Sequence, residues 1–247
     1  GAMADRRDTP PHVACVQPKI LMHPDTRRIN TAGNWSHYLG FGGVTGCDEP
    51  DDGRFDEPRA IDFASGAAMM LRIAAVEPVG LFDDAFFMYL EDAELSWKLR
   101  QTGHEVVYLP AARVQHRYTF AADFRFYEHL ERNRLWLLLV YYRLPTLLLL
   151  APAMLAMELA QLVFAVGHGL LGPRMRAWGY YWKPSTWRRL CRTRRAAQRR
   201  RTIGDRAFSA GFHGRLDFPQ LRGPLVRSVA SPIFAAYWWC VRRVMFW

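Results

Sequence analysis

The sequence predicts an α/β domain over residues 1–123 and an all-α, basic, apolar region over residues 124–247. Three observations predict it. Strand-like runs alternate with one clear helical pattern in the front. From Phe124 onward the chain becomes apolar and helix-prone. The charge divides the same way: residues 1–133 carry 14 Lys or Arg against 20 Asp or Glu, and residues 134–247 carry 19 against 3. The net charge of +10 therefore averages a mildly acidic front and a strongly basic back. With 247 residues, half of them apolar, the chain can bury one sizeable core, or form a domain with an appendage.

"GAMADRRDTPPHVACVQPKIL" reads as a helix tail, a loop and a strand, so the chain is expected to begin in the middle of a domain. "HVACVQPKIL" has the β-branched run of a buried strand. Residues 23–60 are rich in Gly, Asp, Pro and Asn and read as long loops. Loops of that length inside a domain are uncommon unless they bind something. "AIDFASGAAMMLR" follows as a strand, a small-residue turn at Ser65, Gly66 and Ala67, and then a strand or a buried helix.

From Glu91 the spacing turns helical. Leu95 and Leu99 make one apolar stripe, Lys98 and Arg100 fall in the last turns, and Gly103 suits the position just past the end. "EVVYLP" reads as a short strand stopped by Pro110, and "ARVQHR" as another ending at His116. The four cysteines, Cys15, Cys47, Cys191 and Cys240, are scattered without metal-ligand spacing, so free thiols in a reducing compartment are expected. The first residues are polar and no apolar h-region follows them.

In the back half, Arg143, Pro145, Pro152, Glu158 and His168 interrupt the apolar stretch, leaving charge-free runs of about 14–15 residues. A straight bilayer crossing takes ~20. Helices lying in or dipping into one leaflet are therefore expected, with a tilted hairpin as the other arrangement. "RMRAWGYYWKPSTWRRLCRTRRAAQRRR" interleaves arginines with aromatics, which suits either nucleic acid or a membrane surface with anionic lipids. The flanking "LPTLLLLAPAMLAM" decides for the membrane and against nucleic acid. An ordinary helical bundle that buries these runs is the remaining alternative.

Glu91 and Asp92 stand where an aromatic run, "FFMY", meets the helix. A carboxylate there is either a cap on the helix or a base held at its N-terminus, ionised and fixed in direction. The residues alone leave both open. A lone His116 at a strand end is weak evidence for anything, although sheet margins gather ligands in α/β folds.

"DFASGAAMMLR", "VGLFDDAFFMYLEDAELSWKLRQTGHEVVYLPAARVQHR" and "ERNRLWLLLVYYRLP", in that order, resemble the second half of a family 2 glycosyltransferase of the bacterial rhamnosyltransferase-like group. The likeness spans roughly residues 13–210, and the run G-x-F-D-x-x-F-F-x-Y-x-E-D is its most specific part. The resemblance implies a partial GT-A (Rossmann-like) domain, a nucleotide-sugar donor and a divalent cation, Mg²⁺ or Mn²⁺. Asp92 would be the catalytic base beside Glu91, and His116 a metal ligand. Ser65, Gly66 and Ala67 would line the sugar pocket, and Trp35 would contact the acceptor. The family's opening V-x-V-x-I-V-T-x-N strand and its D-x-D motif do not appear here, so a piece of a longer enzyme is expected, inactive alone.

The function implied is inverting transfer of a sugar, rhamnose by the group's habit, to a hydroxyl of a lipid-linked or polysaccharide acceptor in cell-surface glycan synthesis. The expected place is the cytoplasmic face of the cell membrane. Two other readings stay open. One is a polyprenyl-phosphate glycosyltransferase, whose anionic acceptor needs no strong base. The other is a non-catalytic membrane-bound interaction module in which Asp92 only caps a helix.

Overall fold

The computed structural model describes residues 10–117, 126–217, 223–224 and 226–247. The helix tail expected at the start and the boundary expected at 123/124 lie outside the described residues. The chain forms a mixed α/β structure in two compact units. The first comprises residues 1–36, 42–83 and 91–121, and the second residues 37–41, 84–90 and 122–247.

The first unit is built on β1 (Val13–Met22) and β7 (Glu105–His116), which run parallel. β1 is buried along nearly its whole length, as a central strand covered on both faces must be. On its other side lie two short antiparallel strands, β2 (Ile29–Thr31) and β6 (Met70–Leu71), and β5 (Arg59–Ala60) pairs with β7. A hairpin of β3 (Asn34–Ser36) and β4 (Gly42–Val44) stands apart from this sheet. The two strands expected at Glu105–Pro110 and at 112–117 are one. Pro110 has no N–H for the ladder, and the pairing jumps there from Pro18–Leu109 to Lys19–Arg113 instead of ending. The stretch 23–60 is likewise not all loop, since β2 to β5 lie within it or at its end.

α1 (Ile73–Val76) follows β6, and α2 is Glu91–Gln101. Leu95 and Leu99 of α2 pack with Ala14, Cys15, Ala64 and Val106, so the helical stripe closes the core beneath the sheet. Gly103 takes φ +84° just past the helix, a conformation glycine adopts without steric cost. The acidic loop after β4 is anchored rather than free. The fully buried Lys19 ammonium holds the Asp51 carboxylate at 2.6 Å and also pairs with Asp56.

The second unit is helical: α3 (Tyr127–Tyr141), α4 (Leu144–Gly167), α5 (Leu171–Tyr180), α6 (Pro184–Arg200), α7 (Asp205–Phe208) and α8 (Ser231–Val244), the last preceded by a π-turn at Val226–Ala230. The apolar stretch breaks at Arg143 and at His168, which flank α4, but not at Pro152 or Glu158. Pro145 sits in the first turn of α4, where a missing N–H costs nothing, and the helix continues through Pro152. α4 has 24 residues and a mean hydropathy of 2.0, which makes it the one helix among the described residues long and apolar enough to cross a membrane. At 1.5 Å per residue it spans ~36 Å. Its buried positions are Thr146, Leu150, Ala153, Met157 and Ala165, while Leu148, Leu155, Leu159 and Val163 are exposed.

Glu158 projects from this apolar helix into a four-membered ion ring. Arg134 and Arg174 each pair with both Glu131 and Glu158, and Trp178 Nε1 donates to Glu158 at 2.9 Å. Both guanidiniums are fully buried, and the ring is neutral as a whole.

Residues 84–90 are held by α3. Phe87, Tyr89 and Leu90 all have φ between +57° and +65°, an unfavourable region for side chains of this size. Asn133 Nδ2 lies 3.0, 2.9 and 2.8 Å from the carbonyl oxygens of Phe86, Met88 and Tyr89, and Arg132 donates to those of Ala85 and Phe86. One amide thus holds three carbonyls of a strained segment. Asn133→Ala is expected to cost about 2 kcal/mol, seen as a lower melting temperature and as faster hydrogen exchange confined first to residues 86–90.

Candidate active site

Glu91 is the first residue of α2, and Asp92 the second. A capping side chain accepts from the amide two or three residues on. Asp92 does something else. Its Oδ1 accepts the N–H of Ala93 at 2.7 Å, and its Oδ2 reaches across to the N–H of Gly66 at 2.9 Å.

The turn it reaches is tethered residue by residue. Ala64 N–H donates to Ser96 Oγ at 3.2 Å, Ser65 N–H to Gln17 Oε1 at 2.7 Å, and Gly66 N–H to Asp92. Ser96 in turn donates to the Asp92 carbonyl at 2.9 Å, so α2 and the turn are locked in register. Ala67 N–H closes back onto Ser65 Oγ at 3.3 Å. Gln17 is fully buried in β1 and Ser96 is buried in α2.

The electrostatics follow from this packing. The Asp92 pKa is raised from 3.8 to about 6, first by burial and further by the Glu91 charge, against the opposing pull of the Gly66 and Ala93 amides. Beneath it the buried Cys15 thiol is pushed up to about 12, mainly by burial and then by Asp92, so it stays a thiol. Glu91 Oε2 is buried without a hydrogen-bond partner among the described residues. A Cβ added at Gly66 would lie 3.7 Å from Asp92 Oδ2 and 3.9 Å from Glu91 Oε1. The bare face of Gly66 is thus where both carboxylates converge. A carboxylate with a pKa near neutrality, fixed by two amides, is suited to taking a proton from a weakly acidic hydroxyl.

Of the residues singled out in the sequence, Ser65, Gly66, Ala67, Glu91 and Asp92 come together in this one place. Trp35 and His116 are placed by other contacts. The Trp35 indole packs against its cross-strand partner Gly43, where an added Cβ would stand 2.0 Å from the ring. His116 ends β7 with Nδ1 3.4 Å from Asn30 Oδ1. No group of three or more His, Cys, Asp or Glu side chains converges as metal ligands among the described residues. One imidazole does not make a coordination shell. Gln17 and Ser96, which hold the turn, were not anticipated. The available signal was a polar side chain in the middle of a buried strand.

No family model matches the chain. Over 58 residues it is 40% identical to the N-acetylglucosaminyl-diphospho-decaprenol L-rhamnosyltransferase of Mycobacterium tuberculosis, in both strain CDC 1551 / Oshkosh and strain ATCC 25618 / H37Rv. That stretch is 24% of this chain and 19% of the relative, so the chain matches about a fifth of the length of these curated relatives. Among solved structures it is similar to GalNAc-T7, crystallised with UDP, GalNAc and Mn²⁺, at a TM-score of 0.39 and 17% identity, over 53% of this chain and 27% of that one.

Proposed function

We propose that the chain carries the acceptor-activating part of an inverting glycosyltransferase. The observation that carries the reading is the Asp92 carboxylate, raised to about 6 and aimed by the amides of Gly66 and Ala93. Sequence likeness to an L-rhamnosyltransferase supports it.

In this reading an acceptor hydroxyl sits at the open face of Gly66. Asp92 takes its proton, the oxygen forms a bond to the anomeric carbon, and the bond from that carbon to the nucleotide diphosphate breaks on the opposite side. The nucleoside diphosphate leaves, and the sugar, now bonded to the acceptor oxygen, has inverted configuration at that carbon. Rhamnose is the sugar proposed, and a lipid-linked glycan at the cytoplasmic face of the membrane is the acceptor. The exposed apolar face of α4 and the basic α6 supply the affinity for a membrane with anionic lipids. A divalent cation, Mg²⁺ or Mn²⁺, belongs to the same reading. His116 would be one of its ligands, and the cation has no part in the step described here.

A hydroxyl acceptor fits the perturbed base better than a lipid phosphate, which is an anion before it meets the enzyme. The test is to supply the full-length enzyme with nucleotide-activated rhamnose and either a diphospholipid-linked sugar or a polyprenyl phosphate. Nucleoside diphosphate release that depends on the sugar-bearing lipid, with an acid limb near pH 6, is the expected result. Release dependent on polyprenyl phosphate and flat across that range would overturn it.

A further inference from the structure

The helical unit holds a cleft of about 340 Å³ that the carboxylate chemistry does not use. Four arginines line it, Arg206, Arg215, Arg242 and Arg243, together with the indoles of Trp238 and Trp239; no acidic side chain among the described residues does. The Asp205 carboxylate, next in sequence to Arg206, is buried and engaged by Arg201, the Thr146 hydroxyl and the Arg143 amide.

The walls are built rather than loose. Trp238 is buried, donates its indole N–H to the Phe212 carbonyl at 3.1 Å and stacks on Tyr38 at 4.7 Å. At Gly214 an added Cβ would stand 3.0 Å from Ala235 Cα and 3.1 Å from the Trp238 ring, so a residue without a side chain lets this segment lie against α8. The Arg243 guanidinium lies 3.5 Å over Trp239, and Arg206 Nη1 donates to the Met245 carbonyl at 3.3 Å. Four like charges in one small cleft repel one another unless an anion of several charges joins them. Two linked phosphates offer the oxygens that guanidinium forks match.

α8 exposes Ile233 and Val244 on another face, and α4, which packs against α8, exposes its leucine stripe. We infer that this cleft binds the diphosphate of a lipid whose hydrocarbon lies along these helices. The choice of a lipid diphosphate rests on the acceptor proposed above. The site itself is tested by binding, without turnover, so the two can fail separately.

The full chain is titrated with phosphatidylcholine vesicles carrying a polyprenyl diphosphate, and with vesicles of equal charge carrying phosphatidylglycerol. The expected result is preference for the diphosphate vesicles and competition by inorganic pyrophosphate. Arg206→Ala/Arg242→Ala should weaken diphosphate binding by about 100-fold, two charged hydrogen-bonding groups being lost, with a much smaller loss toward phosphatidylglycerol. Arg206→Lys/Arg242→Lys, which keeps the charge and the fold, should recover part of it. Arg188→Ala/Arg192→Ala on α6 should weaken both vesicle types alike. Equal weakening of both vesicle types by the Arg206/Arg242 pair, no competition by pyrophosphate, or tighter binding of a single-stranded oligonucleotide would each overturn the assignment.

Discussion

If Asp92 is the base proposed above, Asp92→Asn should lower turnover by a factor of order 10²–10⁴, the usual worth of a general base, while making the protein more stable at neutral pH. Both effects come from the same charge. An acid whose pKa is raised on folding is protonated in the folded state when the unfolded chain has already released its proton. Below pH 3.8 both states are protonated and the group costs nothing. Between 3.8 and about 6 the cost accumulates as pH rises, and above 6 it is complete.

A rise of that size corresponds to roughly 3 kcal/mol. Asparagine removes this cost but gives up one acceptor, worth about 1 kcal/mol. The net gain of about 2 kcal/mol should appear as a higher melting temperature at pH 7 and vanish by pH 4. A plain helix cap would behave otherwise, because asparagine caps as well as aspartate and turnover would stay near normal. Unchanged turnover with unchanged stability would remove Asp92 from the chemistry.

The second large effect belongs to the ion ring. Arg174→Met removes one of two fully buried guanidiniums and leaves the Glu131 and Glu158 carboxylates facing Arg134 alone. Breaking a buried pair in this way costs about 3–5 kcal/mol, which lowers the melting temperature by roughly 10 °C for a chain of this size. Arg174→Met combined with Glu131→Leu restores neutrality and should recover much of that loss, because a buried ion pair contributes little beyond its own desolvation. Additive losses in the double variant would show that the hydrogen bonds of the ring, such as Gln161 Nε2 to Glu131 at 3.1 Å, outweigh its charge balance.

How much was legible differs by interaction range. β1 and α2 were readable because their signals are local: a β-branched run, a leucine pair four residues apart, a glycine past the helix end. The turn at Ser65–Ala67 and the Glu91–Asp92 pair were each visible in a few consecutive residues. That Asp92 would accept the Gly66 amide was not, since the two are 26 residues apart and nothing in either segment names the other. β2 to β5 escaped because strands of two or three residues show no alternation. β7 was read as two strands because its proline is a local stop signal, which pairing with β1 overrides by a jump in register. Within α4, Pro152 and Glu158 give the same kind of local stop signal, and neither ends the helix. Glu158 looked like an interruption in an apolar run, and its partners Arg134 and Arg174 lie on other helices.

The tethering of the turn also bears on how such a protein can change over generations. Three successive amides are held by Ser96, Gln17 and Asp92, and two of those three holders are uncharged. The carboxylate is therefore dispensable to the architecture it serves. A duplicated copy can exchange Asp92 for asparagine, keep the turn, the helix start and the face around Gly66, and gain stability as it does so. On the reading proposed above, loss of catalysis runs downhill in folding energy, so descendants that bind without turning over are the expected by-products of this design.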